Sequence, residues 1–247
     1  MSDSLRAEWL KVWTGRSWLL LTAIGALMSL TTTLGYATDG AEQITGGLTT
    51  AAAVTDEGVR AWMMMFLFSS LFGAVSVTRE YASGAIGRSV LLGGGRNRLF
   101  SAKILVAAAM GAISGALAVA LGAISTWGAT ASAGVPFTWT SETTLVAAGV
   151  FAVTVAAAPW GVLVGWLIRN QIGAVVTLMG LTLVVDPALQ RLVPDAAKFL
   201  LTIAMSSVYR DGKPELLTVP LACLVIAAWL GAAGLLARKA LLSRDVL

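Results

Sequence analysis

Apolar residues run in six long stretches separated by shorter polar ones. A helix needs roughly 20 mostly apolar residues, with a range of about 17 to 25, to cross a bilayer. The stretches predict spans near Trp18 to Tyr36, Arg60 to Val77, Ala102 to Trp127, Thr143 to Ile168, Ile172 to Val185 and Val219 to Ala237. The third is long enough to tilt. The fifth is short, because Asp186 and Pro187 are expected to stop it. Small residues are dense within spans: Gly111, Ser114, Gly115, Ala118 and Gly122 in the third, Gly161 and Gly165 in the fourth. Such spacing lets helices approach closely. Packing inside one bundle is the plain expectation; a dimer seam is the sharper alternative.

Three segments do not fit a simple span. Residues 4–17, SLRAEWLKVWTGRS, are amphipathic: Leu5, Trp9, Leu10 and Trp13 share a helical face, while Arg6, Glu8, Lys11 and Arg16 lie mostly elsewhere. Tryptophan beside basic residues suits the headgroup layer, so Trp9, Trp13, Arg16 and Trp18 are candidate interfacial anchors. An ordinary positively charged lead-in to the first span is the plainer alternative. Residues 186–218 are too long for a turn, and their apolar run FLLTIAMSSV is only ten residues. This predicts an extracellular re-entrant or interfacial segment, with a surface loop on the headgroups as the alternative. The third segment is the polar insert 78–103, TREYASGAIGRSVLLGGGRNRLFSAK. It reads as a short helix, a glycine break at Gly93, Gly94 and Gly95, and a basic return into the third span.

Composition makes the chain one membrane unit. Of its 247 residues 57% are hydrophobic and 12% charged, with a mean hydropathy of +0.82; average soluble domains carry about 25% charge. It has no histidine and one cysteine, Cys223, so neither an internal disulfide nor a Cys/His metal site can form. The net charge of +4 reports loops rather than nucleic-acid binding. With both termini on one side, that side and the 78–103 loop hold 12 of the 17 Lys and Arg residues. The positive-inside rule then puts both termini in the cytoplasm. No cleavable leader is expected, since acids and tryptophans occupy residues 1–17 and no small-residue cleavage site follows the first apolar run.

The insert also carries a pattern. Glu80-Tyr81-x-x-Gly84 followed by a small residue, a short helix, and Arg98 and Lys103 at the start of the third span resembles the loop after the second span of ABC-2 type transporter permeases. Ala85 stands where that family commonly has Thr. The motif covers about 25 residues; as architecture the resemblance covers the whole chain. It implies that the loop is a coupling helix docking on a separate ATP-binding subunit, with Glu80, Tyr81, Gly84, Ala85, Ile86 and Arg88 as the coupling residues. Tyr81 and Ile86 would be buried against that partner, and the Arg residues would pair with its acids. A local ion pair of Glu80 with Arg79 or Arg88 is the plainer reading of that acid.

Absences sharpen the expectation. No GxxxxGK[ST] stretch occurs, and GGGRNR lacks the lysine and hydroxyl that hold phosphate and magnesium. Without histidine, and with few acids in the spans, the usual catalytic sets cannot assemble. A proton or ion relay would need ionisable groups inside the spans; Glu142, Asp186, Arg60 and Arg169 sit at span boundaries. Pro159, Trp160 and Trp166 are the candidate pathway residues, with packing or lipid contact as the plainer role.

The expectation is an all-α polytopic membrane protein, one transmembrane domain over 1–247. Six transmembrane helices follow an interfacial helix (1–17), with a cytoplasmic coupling helix between spans 2 and 3. The resemblance implies a non-enzymatic ABC permease of the bacterial cytoplasmic membrane. It would export a drug, peptide antibiotic or lipid-like substrate, in a setting such as antibiotic resistance. It would hold no cofactor itself. Two ATP-binding subunits would bind ATP and Mg, and a second copy or a related permease would complete the pathway among membrane lipids, with no nucleic acid. An ion-coupled transporter or channel, and a non-transporting anchor or sensor, are the alternatives.

Overall fold

The computed structural model describes residues 2–243. Among them all regular structure is helical. Helix α1 covers Ser2–Thr14, and a corner at Gly15 leads into α2, Ser17–Thr45. Then come α3, Ala51–Ala82, and the short α4, Ile86–Leu92. The bundle continues with α5, Arg96–Ser132; α6, Ser141–Ile168; and α7, Gln171–Leu192. The short α8, Pro194–Ala197, and α9, Leu201–Val208, precede α10, Val219–Ser243. Six of these, α2, α3, α5, α6, α7 and α10, are long and apolar enough to cross a membrane.

Local chemistry explains where the helices begin. Thr50 accepts the Ala53 N–H at 3.2 Å and opens α3. Thr140 and Thr143 exchange hydrogen bonds with each other's backbone N–H in a capping box that opens α6. Asn170 accepts the Gly173 N–H at 2.8 Å and opens α7. Each side chain satisfies a donor that the first helical turn leaves without a partner.

Helix α3 is the centre of the bundle, packed chiefly against α6. Two glycines set that distance. A Cβ on Gly161 would lie 1.7 Å from the Ser70 carbonyl oxygen, and one on Gly73 would lie 2.1 Å from that of Ala158. Gly111 and Gly115 of α5 likewise face Thr154 and Phe151 of α6, and Gly122 faces Trp62. These small residues serve packing within the chain. Around them lies an apolar core of Met65, Leu67, Leu71, Val150, Val153, Leu178, Met205 and Ile226.

Most spans run longer than the sequence expectation, and in three of them the extension takes in residues expected to lie in loops. The first helix runs on to Thr45, and the second starts at Ala51 rather than Arg60. The polar residues Asp56, Glu57 and Arg60 are carried inside α3, which tightens into a 3-10 stretch at Ala61–Met64. The fifth continues through Asp186 and Pro187 to Leu192. A π turn at Leu181–Val185 shifts the hydrogen-bond register just before them. Pro187 then falls in the first turn of a fresh helical segment, where its missing N–H costs little. Arg60 and Asp186, expected at span boundaries, therefore lie within long helices and are buried.

Each finds a partner. Arg60 pairs with Glu57 and donates to the Tyr209 carbonyl at 3.4 Å, and Asp186 accepts from the Thr202 hydroxyl. The 186–218 segment folds back on the bundle: α9 is buried against α6 and α10. Gly149 of α6 makes room for it, since a Cβ there would lie 2.2 Å from the Val208 carbonyl oxygen. The Glu142–Arg210 ion pair, 2.5 Å, fixes the end of α9 to the start of α6.

Candidate coupling site

The insert 78–103 forms a knob at one end of the bundle. Helix α3 ends at Ala82, and Gly84 turns the chain at φ +67. Ala85 caps α4, seven residues long, and Gly94 and Gly95 turn it back at φ +77 and +107. Positive φ is disfavoured for most residues with a Cβ, least so for Asn and Asp. The two turns thus need glycine and aim α4 across the ends of α3 and α5.

Glu80 lies on the last turn of α3 and Lys103 on the first turns of α5. The Lys103 ammonium is buried, with its side chain 3% exposed, and donates to Glu80 Oε1 at 2.8 Å and to the Ser76 carbonyl at 3.2 Å. Its third donor goes to Glu8 Oε2 of α1, also at 2.8 Å. Lys11 of α1 closes the set: it reaches Glu8 Oε1 at 2.5 Å, Glu80 Oε1 at 2.9 Å and Ser89 Oγ of α4 at 3.0 Å. Two acids and two lysines from α1, α3 and α5 thus form one neutral cluster, with a hydroxyl from α4 attached. Ser4 adds a second tie from α1, donating to the Gly93 carbonyl at 2.7 Å. A cavity of about 320 Å³ beside the cluster is lined by Arg79, Glu80, Lys103 and Phe72 among others.

Burial alone would lower the pKa of Lys11. The hydrogen bonds to Glu8 and Glu80, with the charge of both acids, outweigh it and leave the value above the ordinary lysine range. The ammonium form is therefore held in place.

The other face of the knob rests on aromatic packing. Tyr81 meets Trp166 edge to face at 5.8 Å, and Phe100 packs on Trp166 at a tilt, 6.3 Å between centroids. Ile86 is 2% exposed, in the same cluster as Val77, Leu99 and Trp166. The exposed apolar groups are Leu91 and Leu92, 83% and 82% exposed, with Arg88 and Arg98 also exposed nearby.

Several expected residues take other places. Ile86 is turned into the chain and buried there, and α4 presents Leu91 and Leu92 outward instead. Tyr81 is largely committed to Trp166. Glu80 pairs with Lys11 and Lys103, not with Arg79 or Arg88. Gly84, Ala85 and Arg88 lie on the knob as the pattern placed them.

On α1, Leu5, Trp9 and Val12 pack on the bundle against Trp18, Phe72, Val106 and Met110. Leu10 and Trp13, grouped with Leu5 and Trp9 in the sequence reading, are exposed. Trp9, Trp13 and Trp18 form an edge-to-face series with steps of 5.8 and 5.3 Å. Trp18 is buried and donates to Ser114 Oγ at 3.2 Å; Arg16 is exposed at the α1–α2 corner. Pro159 is half-buried in α6, and Trp160 packs on Trp229 of α10 at 6.1 Å. Trp166, expected on a pathway, has no exposed surface; it braces the knob.

Sequence reasoning missed Glu8, Lys11 and Ser89 as partners of the Glu80 pattern. The available signal was Lys103, a cation at the mouth of an apolar run that needs a buried counter-charge.

A family model described as an ABC-2 family transporter protein matches residues 4–185. The chain belongs to that family. No curated protein matches it. This ABC-2 permease is a multi-pass membrane subunit of an ABC transporter, and membership implies an ATP-binding partner. The match takes in α1, the knob and the whole four-charge cluster, and it ends within α7.

Proposed function

We propose that this permease is the membrane half of a bacterial exporter and that α4 is its coupling helix. The observation that carries the reading is the form of the knob. Its tip offers two leucines beside arginines, and its base is tied to α1, α3 and α5 by buried charge. A small apolar anchor with a basic rim suits docking on a groove with acidic edges. A base held on several sides passes a push to the spans instead of bending.

In this reading two ATP-binding subunits hold ATP and Mg, and a second permease copy, or a related one, completes the pathway. The knob and both termini face the cytoplasm, and α1 rests on the inner leaflet through Trp13 and its exposed basic residues. The spans carry few charges on their surfaces, which favours amphipathic or hydrophobic cargo such as a drug, a peptide antibiotic or a lipid-like molecule.

The test is co-purification from native membranes in mild detergent. The wild-type chain should bring down an ATP-binding protein, and the Leu91→Asp/Leu92→Asp double variant should lose at least ~90% of it while the permease stays folded. An ATP-binding protein retained in full by that variant would remove α4 from the interface. None captured by the wild type would remove the transporter reading.

A further inference from the structure

The knob is also joined to the far end of the sequence. Helix α6 ends at Arg169, which adopts φ +59 and leaves only Asn170 before α7. This left-handed turn aims the Arg169 side chain back under the knob. Its guanidinium lies over the Tyr81 ring, 5.0 Å from the centroid, and donates to the Ala240 carbonyl of α10 at 2.8 Å. Arg96, at the knob's return, donates to the next two carbonyls, Leu241 at 3.1 Å and Leu242 at 2.9 Å. Arg238 of α10 answers with a bond to Asn97 Oδ1 at 3.1 Å.

Three successive carbonyls of α10 are thus taken by arginines from the knob and from the α6–α7 turn. Helix α10 lies outside the family match, so this clamp is not part of the matched pattern.

We infer that Arg169 is a positioning residue that makes the knob and α10 move as one body. The inference rests on the reading of α4 as the coupling helix and extends it to a residue outside the 78–103 insert. The guanidinium lies over Tyr81 while one of its N–H groups reaches the Ala240 carbonyl, an arrangement that a compact lysine ammonium reproduces only in part. Tyr81 in turn stands on Trp166, three residues before Arg169, so ring, guanidinium and helix end form a closed loop of contacts. A displacement of α4 is then delivered to α10 as well as to α3 and α5.

The test uses spin labels at Ser83→Cys and Leu242→Cys in a Cys223→Ser background, read by pulsed electron resonance. Asn tolerates the left-handed backbone, so Arg169→Asn removes the guanidinium without straining the turn. The parent should give one narrow distance. Arg169→Asn and Tyr81→Leu should at least double its width, and Arg169→Lys should fall between.

In the complex with its ATP-binding subunit, a non-hydrolysable ATP analogue should leave the parent distance unchanged. In Arg169→Asn it should shift by several ångströms, with capture of the subunit and basal hydrolysis within about twofold of the parent. Distances in Arg169→Asn that match the parent in both settings would overturn the clamp. A parent that captures no ATP-binding subunit would overturn the transmission role through the functional reading, and the capture assay registers that failure separately from the distances.

Discussion

At the residue scale the cluster of Glu8, Lys11, Glu80 and Lys103 governs the behaviour of the knob. Lys103 is nearly inaccessible and depends wholly on two acids and one carbonyl. Breaking a buried pair from one side leaves an uncompensated charge and costs about 3–5 kcal/mol. Lys103→Ala should therefore lower stability by about that amount, because Glu8 and Glu80 are left sharing Lys11. Adding Glu8→Gln to that variant should recover part of the loss, since one stranded charge disappears; thermal unfolding in detergent would show it. Lys11 adds a pH test. Its folded pKa lies above the unfolded value of 10.5, so its contribution is fully present below that value and is lost as pH rises through the folded one. A spin label at Leu10→Cys should report an immobile α1 across neutral pH, with mobility rising only above the ordinary lysine range. An onset near neutral pH would contradict this account of the cluster.

At the element scale, helix packing and the knob's turns decide the shape. Gly161 and Gly73 let α3 and α6 touch backbone to backbone. An added methyl must push the helices apart, and overpacking of this kind costs about 1–3 kcal/mol or more. Gly161→Ala should therefore lower the thermal midpoint measurably, whereas Gly231→Ala, in α10 with open space around it, should not. Six spans were legible because each carries a long apolar run. Their ends were less so. Residues 51–59 include Asp56, Glu57 and Gly58, which look like a loop in sequence, yet tertiary partners hold them helical: Asp56 accepts from Thr143 at 2.5 Å, and Gly58 packs on Thr126. Pro187 looked like a stop, and the π turn before it could not be read from residue types.

The orientation of α4 was hidden for a different reason. Seven residues with apolar groups at Ile86, Val90, Leu91 and Leu92 show no single face. The glycine turns decide that Ile86 goes in and the two leucines out. Likewise the Glu80 pattern marked the site, but its partners lie 23 residues after it and about 70 before it. Only the fold brings them together.

At the scale of the whole molecule, the chain is a bundle around α3 with the knob fastened at one end. The knob is tied to α1, α3 and α5 by charge and hydroxyl contacts, to α6 by Tyr81 and Trp166, and to α10 by Arg169 and Arg96. The opposite end carries its own fastenings, Glu142 to Arg210 and Arg60 to the Tyr209 carbonyl, which fix the returned helix α9. In the proposed coupling role, a push on α4 would reach helices that extend to the region of α9.

Cross-linking at the knob's tip tests this most directly. A Leu92→Cys chain in the Cys223→Ser background would be treated in native membranes with a short thiol-to-amine cross-linker. The account predicts a product with an ATP-binding protein whose yield changes when ATP is supplied, and none from a Leu20→Cys control on the exposed face of α2. Equal yields from both positions, or no product from Leu92→Cys while the ATP-binding protein remains in the complex, would contradict docking through α4.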